Sequence, residues 1–326
     1  MKKAFYGLGI IVLLILGGFF LGPQPEFEQV NWVPDPTQFD IREIDAYLAK
    51  KESEIEHLKV DNHARIIWAD SSRKKTEYSI VYIHGFTASQ GEGYPMHLNI
   101  ADSIGANLFL ARLPEHGVSN LDAMKTLTPQ ALVESAKEAI AVGKSIGKKV
   151  LVMSCSTGGT LSIYLAAGDP SLAGLILLSP NIALRSKAAS LVTGPWGKQL
   201  AYQIIGEHRD MRTFQKVPEY WTNHHHTNGL IALQNLMNQT MTDDVFSRIS
   251  MPVYCGYFYK NEDIQDPVVS VEAMLDFKST IKTAEDDMEF EAFETGDHVL
   301  GSIYKNEGWK DVQNEVLDFI HREIIN

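Results

Sequence analysis

Cysteine is scarce. The 326-residue chain has two, Cys155 and Cys255. Each falls in an apolar run that reads as a core strand, so neither a disulfide framework nor a cysteine-based metal site is indicated. Basic residues are outnumbered, 29 Lys and Arg against 41 Asp and Glu, for a net charge of −12. That balance argues against nucleic acid, and against an anionic membrane surface, as the main partner. Internal repeats and low-complexity blocks are missing, which excludes solenoid and fibrous architectures. What remains is an ordinary globular composition, 44% hydrophobic and 21% charged. The length suits one large α/β domain with an inserted lid, or two small domains.

A long apolar run near the N-terminus is the one targeting signal. Lys2 and Lys3 precede an uncharged stretch from Ala4 to Gly22, and Glu26 and Glu28 follow it. As a helix the run would be about 28 Å long, near the thickness of a bilayer core. The charge pattern places the lysines in the cytoplasm and the bulk of the chain outside. Phe19, Phe20 and Leu21 stand where a signal-peptide cleavage site needs small residues, so an uncleaved transmembrane anchor over residues 1–22 is expected. Secretion or periplasmic release after cleavage is the alternative. Residues 23–40 are proline-rich and read as a linker, leaving residues 41–326 for the folded domain.

The rest of the chain is organised around residues 147–168. Lys149 to Met153 reads as a buried parallel strand, and from Gly159 on the spacing is helical. Between them lies Ser154-Cys155-Ser156-Thr157-Gly158, a small-x-Ser-x-small turn. A serine on so sharp a turn crowds the residues two before and two after it, so both must be small. Its hydroxyl then projects above the sheet, and the following helix directs free N–H groups at any oxyanion formed there. Ser156 is therefore the candidate nucleophile. Ser154 is a second hydroxyl in the motif, but the small residues flank Ser156 symmetrically.

Around this turn, strands and helices alternate. Strands are expected at 64–69, 78–83, 106–112, 172–178, 251–260 and 289–293. A helix is expected from Thr128, as N-cap with Pro129 at the first position, to Ile146. The alternation implies a mostly parallel, doubly wound sheet with helices on both faces, whose ligands bind at the carboxyl ends of the strands. Residues 181–249 break the rhythm, with Trp196, Tyr202, Trp221 and several Leu, Ile and Met residues but no clear core strand. Among them, His224-His225-His226 would point in alternate directions if extended, and no matching carboxylate or cysteine spacing accompanies them. They read as a polar loop, not a metal site. A helix over 309–325 is expected to pack the sheet edge.

Three segments together resemble a known family: His84-Gly85-Phe86 after an apolar strand, Leu110-Ala-Arg-Leu-Pro-Glu-His-Gly117, and the turn around Ser156. They are similar to the α/β-hydrolase superfamily, in its lysophospholipase, monoacylglycerol lipase and carboxylesterase branch, over about residues 60–326. Glu115 departs from that branch, which usually has glycine there. The resemblance implies an α/β-hydrolase fold with an inserted cap at about residues 181–249 over the site, its apolar residues suited to an acyl chain. It also implies an oxyanion hole from the Phe86 and Cys155 amides, with Asp266 as the triad acid and His298 as the base. Asp263 is a competing acid. His84 and His116 read as structural. The implied activity is a cofactor-free serine hydrolase that cleaves a carboxylic ester of a hydrophobic acyl group through an acyl-enzyme. Its substrate would be a small-molecule ester or a lipid. Peptide hydrolysis, acyl transfer to an acceptor other than water, and a non-catalytic binding protein with a relic site are the alternatives.

Overall fold

The computed structural model describes residues 17, 18, 20–210 and 218–325. Seven strands form the central sheet: β1 (Arg65–Ile67), β2 (Thr76–Ile83), β3 (Asn107–Leu110), β4 (Gly147–Cys155), β5 (Gly174–Leu178), β8 (Val253–Phe258) and β9 (Met288–Phe293). Their order is β1-β3-β2-β4-β5-β8-β9. Only β1 pairs antiparallel, through Ile66 opposite Phe109; the other neighbours are parallel. A separate two-stranded ribbon joins β6 (His208–Asp210) to β7 (His224–His226) within the expected cap segment, residues 181–249.

The buried strands are almost continuously apolar because both faces are covered. Alternate side chains go to different cores. On β2 and β4, Val81, Ile83, Val150 and Val152 join the core under helices Pro129–Ile146 and Thr157–Ala166. Ile80, Tyr82, Leu151 and Met153 join the core under helices Met96–Ser103 and Trp309–Phe319. The long helix begins as the sequence predicts: the Thr128 hydroxyl accepts the Ala131 N–H at 3.1 Å, with Pro129 at the first turn.

The C-terminal helix differs from expectation. It covers a face of the sheet instead of the edge, with Val312, Val316 and Phe319 buried and the Phe319 ring 5.6 Å from Tyr254. Its apolar stripe needs a broad apolar surface, which an edge strand does not offer. Residues 23–40 form no helix or strand, but they are laid along the domain. Phe27, Val30, Trp32 and Phe39 pack on the core, and the Val30 N–H donates to Gln239 Oε1 at 2.9 Å. Most of the expected membrane segment, residues 1–22, lies outside the described residues. Among the described residues, no helix is long and apolar enough to cross a membrane.

Candidate active site

Ser156 sits between the end of β4 and the first residue of the helix Thr157–Ala166, at φ 51° and ψ −116°. A non-glycine residue adopts that conformation only when its surroundings hold it there. The Ser156 N–H donates to Leu178 O at 3.1 Å, and the Ser156 carbonyl accepts from Gly159 at 2.8 Å and Asn181 at 2.9 Å. The smallness rule is borne out at Gly158, where a Cβ would lie 2.0 Å from the Ile83 carbonyl oxygen. Ser154 is sealed in the sheet and its hydroxyl has no hydrogen-bond partner among the described residues, whereas Ser156 lines a cavity at the carboxyl ends of the strands.

The loops after β8 and β9 bring Asp266 and His298 together. His298 Nδ1 donates to Asp266 Oδ2 at 2.8 Å. The other oxygen, Oδ1, accepts the Val268 and Val269 amides at 2.8 and 3.0 Å, so the carboxylate is fixed on both sides. Asp266 is fully buried, while the His298 ring is 13% exposed, into the cavity that Ser156 lines. With Nδ1 committed to the carboxylate, Nε2 is the nitrogen left for proton transfer. Burial opposes a charged His298, but the Asp266 carboxylate, its hydrogen bond and the charges of Glu92 and Asp297 outweigh that and raise its pKa. Burial likewise pushes Asp266 up, and His298 with the two amides more than compensates, so it is held below the ordinary carboxylate range. Asp263, the competing acid, is exposed on the loop, and its own N–H caps onto Asn261.

The two expected oxyanion donors fare differently. Phe86 lines the cavity beside Ser156. Cys155 does not: it is the last residue of β4, paired with Leu178, so its amide belongs to the strand. Its buried thiol faces Glu92. Thr157, by contrast, lines the cavity and opens the helix, where an N–H has no intrahelical acceptor. The rule that the donor follows the nucleophile was the available signal. His84 and His116 are structural. His84 bridges the two loops, with Nδ1 donating to Gly85 O at 2.9 Å and Nε2 accepting the Leu113 N–H at 3.0 Å. Burial lowers its pKa to about 4, so it stays neutral. His116 Nδ1 donates to Pro114 O at 2.7 Å. Glu115, where the related branch has glycine, adopts φ 60° and accepts the Thr126 hydroxyl at 2.6 Å. The glycine of that pattern is thus a backbone requirement that this chain meets with strain and a hydrogen bond.

The cavity measures about 480 Å³. The cap contributes Leu184, Trp221, Leu230 and Leu233, an apolar wall suited to hydrocarbon, and also Arg209 and His225. Arg209 and His225 are cross-strand neighbours on the β6–β7 ribbon and share a face. The histidine triplet alternates as its extended form requires. His225 reaches the cavity, 5.5 Å from the Phe86 ring, while His224 and His226 turn away to Asp210 and Glu207 at 3.6 and 3.4 Å. Sequence reasoning missed Glu92, a buried carboxyl that lines the same cavity.

A strained serine on a strand–helix elbow, with a histidine and an aspartate delivered by the loops after the last two strands of a parallel sheet, defines an α/β-hydrolase fold. Solved structures agree. A metagenome-derived lipolytic enzyme, from work on LipS and LipT, superposes with a TM-score of 0.64 at 15% identity, over 81% of this chain and 99% of that one. A soluble variant of monoglyceride lipase from Saccharomyces cerevisiae gives a TM-score of 0.60 at 13% identity, over 93% and 99%. The chain is also similar in sequence to a thermostable monoacylglycerol lipase of Bacillus sp. (strain H-257), 28% identical over 168 residues. That match covers 49% of this chain and 62% of the lipase. No family model matches the chain.

Proposed function

We propose that this protein is a serine hydrolase that cleaves a carboxylic ester of a hydrophobic acyl group. The observation that carries the reading is the buried Asp266–His298 pair at 2.8 Å, opening into the cavity that the strained Ser156 lines. His298 Nε2 takes the Ser156 proton as the oxygen attacks the ester carbonyl. Asp266 holds the tautomer and stabilises the imidazolium. The Phe86 and Thr157 amides receive the oxyanion; loss of one such donor typically costs about 2.7–4 kcal/mol in barrier. His298 then protonates the leaving alcohol, and water repeats the sequence on the acyl-enzyme. Similarity to lipases and esterases supports an ester over an amide, and the apolar cap wall supports a hydrocarbon acyl group. We also propose that the apolar run at residues 4–22 anchors the domain to a membrane, which fractionation of cells carrying the full-length chain tests: recovery in the soluble fraction contradicts it.

The test of the hydrolase reading is a series of p-nitrophenyl esters from acetate to palmitate, hydrolysed by the full-length protein and by its Ser156→Ala variant. Turnover that rises with chain length and vanishes in the variant supports the reading. Turnover of peptides with small or proline residues, but not of esters, would favour a peptidase on the same fold.

A further inference from the structure

The cavity holds an acidic side chain for which the triad has no use. Glu92 lies in the short 3₁₀ turn Gln90–Gly93 and is 2% exposed. A carboxyl buried this deeply is costly unless it is tied down. Glu92 is tied to both arms of the site. Its Oε2 accepts the Gly85 N–H at 2.6 Å, in the peptide just before Phe86. The Cys155 thiol, just before Ser156, faces the same carboxyl. The Tyr82 hydroxyl lies at 3.4 Å from Oε2. Gly85 is squeezed between acid and nucleophile: a Cβ there would stand 2.8 Å from Glu92 Oε1 and 3.0 Å from Ser156 Cβ.

We propose that Glu92 is a positioning residue of the hydrolytic reaction, a single carboxyl that fixes the Gly85–Phe86 turn against the Ser156 elbow so that the Phe86 amide points at the oxyanion. This rests on the reading of Ser156 as nucleophile. The Gly85 amide and the Tyr82 hydroxyl donate and the Cys155 thiol faces the carboxyl, and the carboxylate form suits all three without needing an acceptor in return. The groups facing Glu92 are Tyr82 from β2, Cys155 from β4 and His298 from the loop after β9; Asp297, Arg209 and Lys305 line the same cavity. Burial raises the Glu92 pKa to about 7 against the pull of those hydrogen bonds. Its charge in turn helps to raise that of His298. The two groups therefore titrate as a pair, and the acid limb of the rate profile belongs to both.

The test uses full-length protein, an ester that the wild type hydrolyses, and the Glu92→Ala and Glu92→Gln variants. Wild-type turnover with fluorophosphonate labelling at Ser156 comes first; its absence would refute the hydrolase reading itself, separately from the role of Glu92. Glu92→Ala removes the anchor and should lower kcat on the order of 10²-fold with little change in KM, the effect of displacing one oxyanion donor. Glu92→Gln keeps an oxygen for the Gly85 N–H and removes the charge. It should retain kcat within about tenfold, while the acid limb of kcat/KM moves to lower pH. If Glu92→Ala fails to fold, the position of the limb in Glu92→Gln decides. An unmoved limb in Glu92→Gln, or undiminished kcat in folded Glu92→Ala, overturns the proposal.

Discussion

At the residue scale, the site rests on a few side chains whose surroundings leave them one task each. His298 is turned by Asp266, and Asp266 is locked by two backbone amides. Replacing Asp266 with Asn keeps the shape and removes the charge that holds the imidazole in its tautomer. In the proposed mechanism kcat then falls on the order of 10³–10⁴-fold. The sign of the accompanying pH effect is fixed. His298 acts when neutral, its pKa is raised, and Asp266 is the foremost cause that raises it. In Asp266→Asn the acid limb of kcat/KM therefore moves to lower pH, and a stationary limb would show that the carboxylate is not coupled to the base. Ser156 was legible in the sequence because it sits in a small-residue turn at the end of an apolar strand, and His298 only through the resemblance of its loop to a known family, since β9 carries Glu289 and Glu291 and is half-buried. The amide of Thr157 was not, because an amide carries no sequence signature; only the position of the turn identifies it. Glu92 was hidden for a related reason. It follows Gly85 by seven residues within a polar segment, and nothing local says that the segment folds under the site.

At the element scale, the elbow is the most constrained piece of the fold. Parallel strands β2 and β4 run side by side with Ile83 opposite Ser154, so the helix after Ser156 starts directly above the end of β2. Gly158 then meets the Ile83 carbonyl at a distance no side chain tolerates. Gly158→Ala must push the helix or the strand aside. We expect a loss of about 1–3 kcal/mol in chemical unfolding from the overpacking, and a fall in kcat on the order of 10²-fold from the misplaced hydroxyl. Full activity in that variant would mean that the elbow is looser than its contacts imply. The central strands were readable because burial on both faces makes them unbroken apolar runs. The ribbon β6–β7 was not: His208–Asp210 and His224–His226 are short and polar, and they pair only because the cap brings them together. The C-terminal helix was legible as a helix, but its partner surface was not, since an apolar stripe does not say which apolar surface will cover it.

At the scale of the whole molecule, the domain carries several histidines that fold neutral. Burial holds His84, His97 and His225 at about 4, and His116 well below its ordinary value. Unfolded, they would titrate near 6.5, so between about pH 6.5 and 4 the unfolded chain binds more protons than the folded one. Their contribution to stability is full above that window and is lost as pH falls through it. Glu92 works in the opposite direction, since its raised pKa favours the folded state at low pH and loses that contribution as pH rises through about 7. Four such histidines against Glu92 and His298, whose raised pKa values act the other way, predict a net fall in the urea midpoint from pH 7 to pH 4.5, and an unchanged midpoint would contradict the neutral assignment of the histidines. A cavity of about 480 Å³ at the carboxyl ends of the strands brings Ser156, His298, Phe86 and Thr157 together with apolar side chains such as Leu184, Trp221 and Leu233. In the proposed mechanism this cavity houses an activated Ser156. Its most direct measurement is fluorophosphonate labelling of the full-length protein and its Ser156→Ala variant, with the modified residue located by peptide mass. Labelling confined to Ser156 and absent from the variant is the predicted result. Labelling that persists in the variant, or a folded wild type that takes up no probe at all, would contradict it.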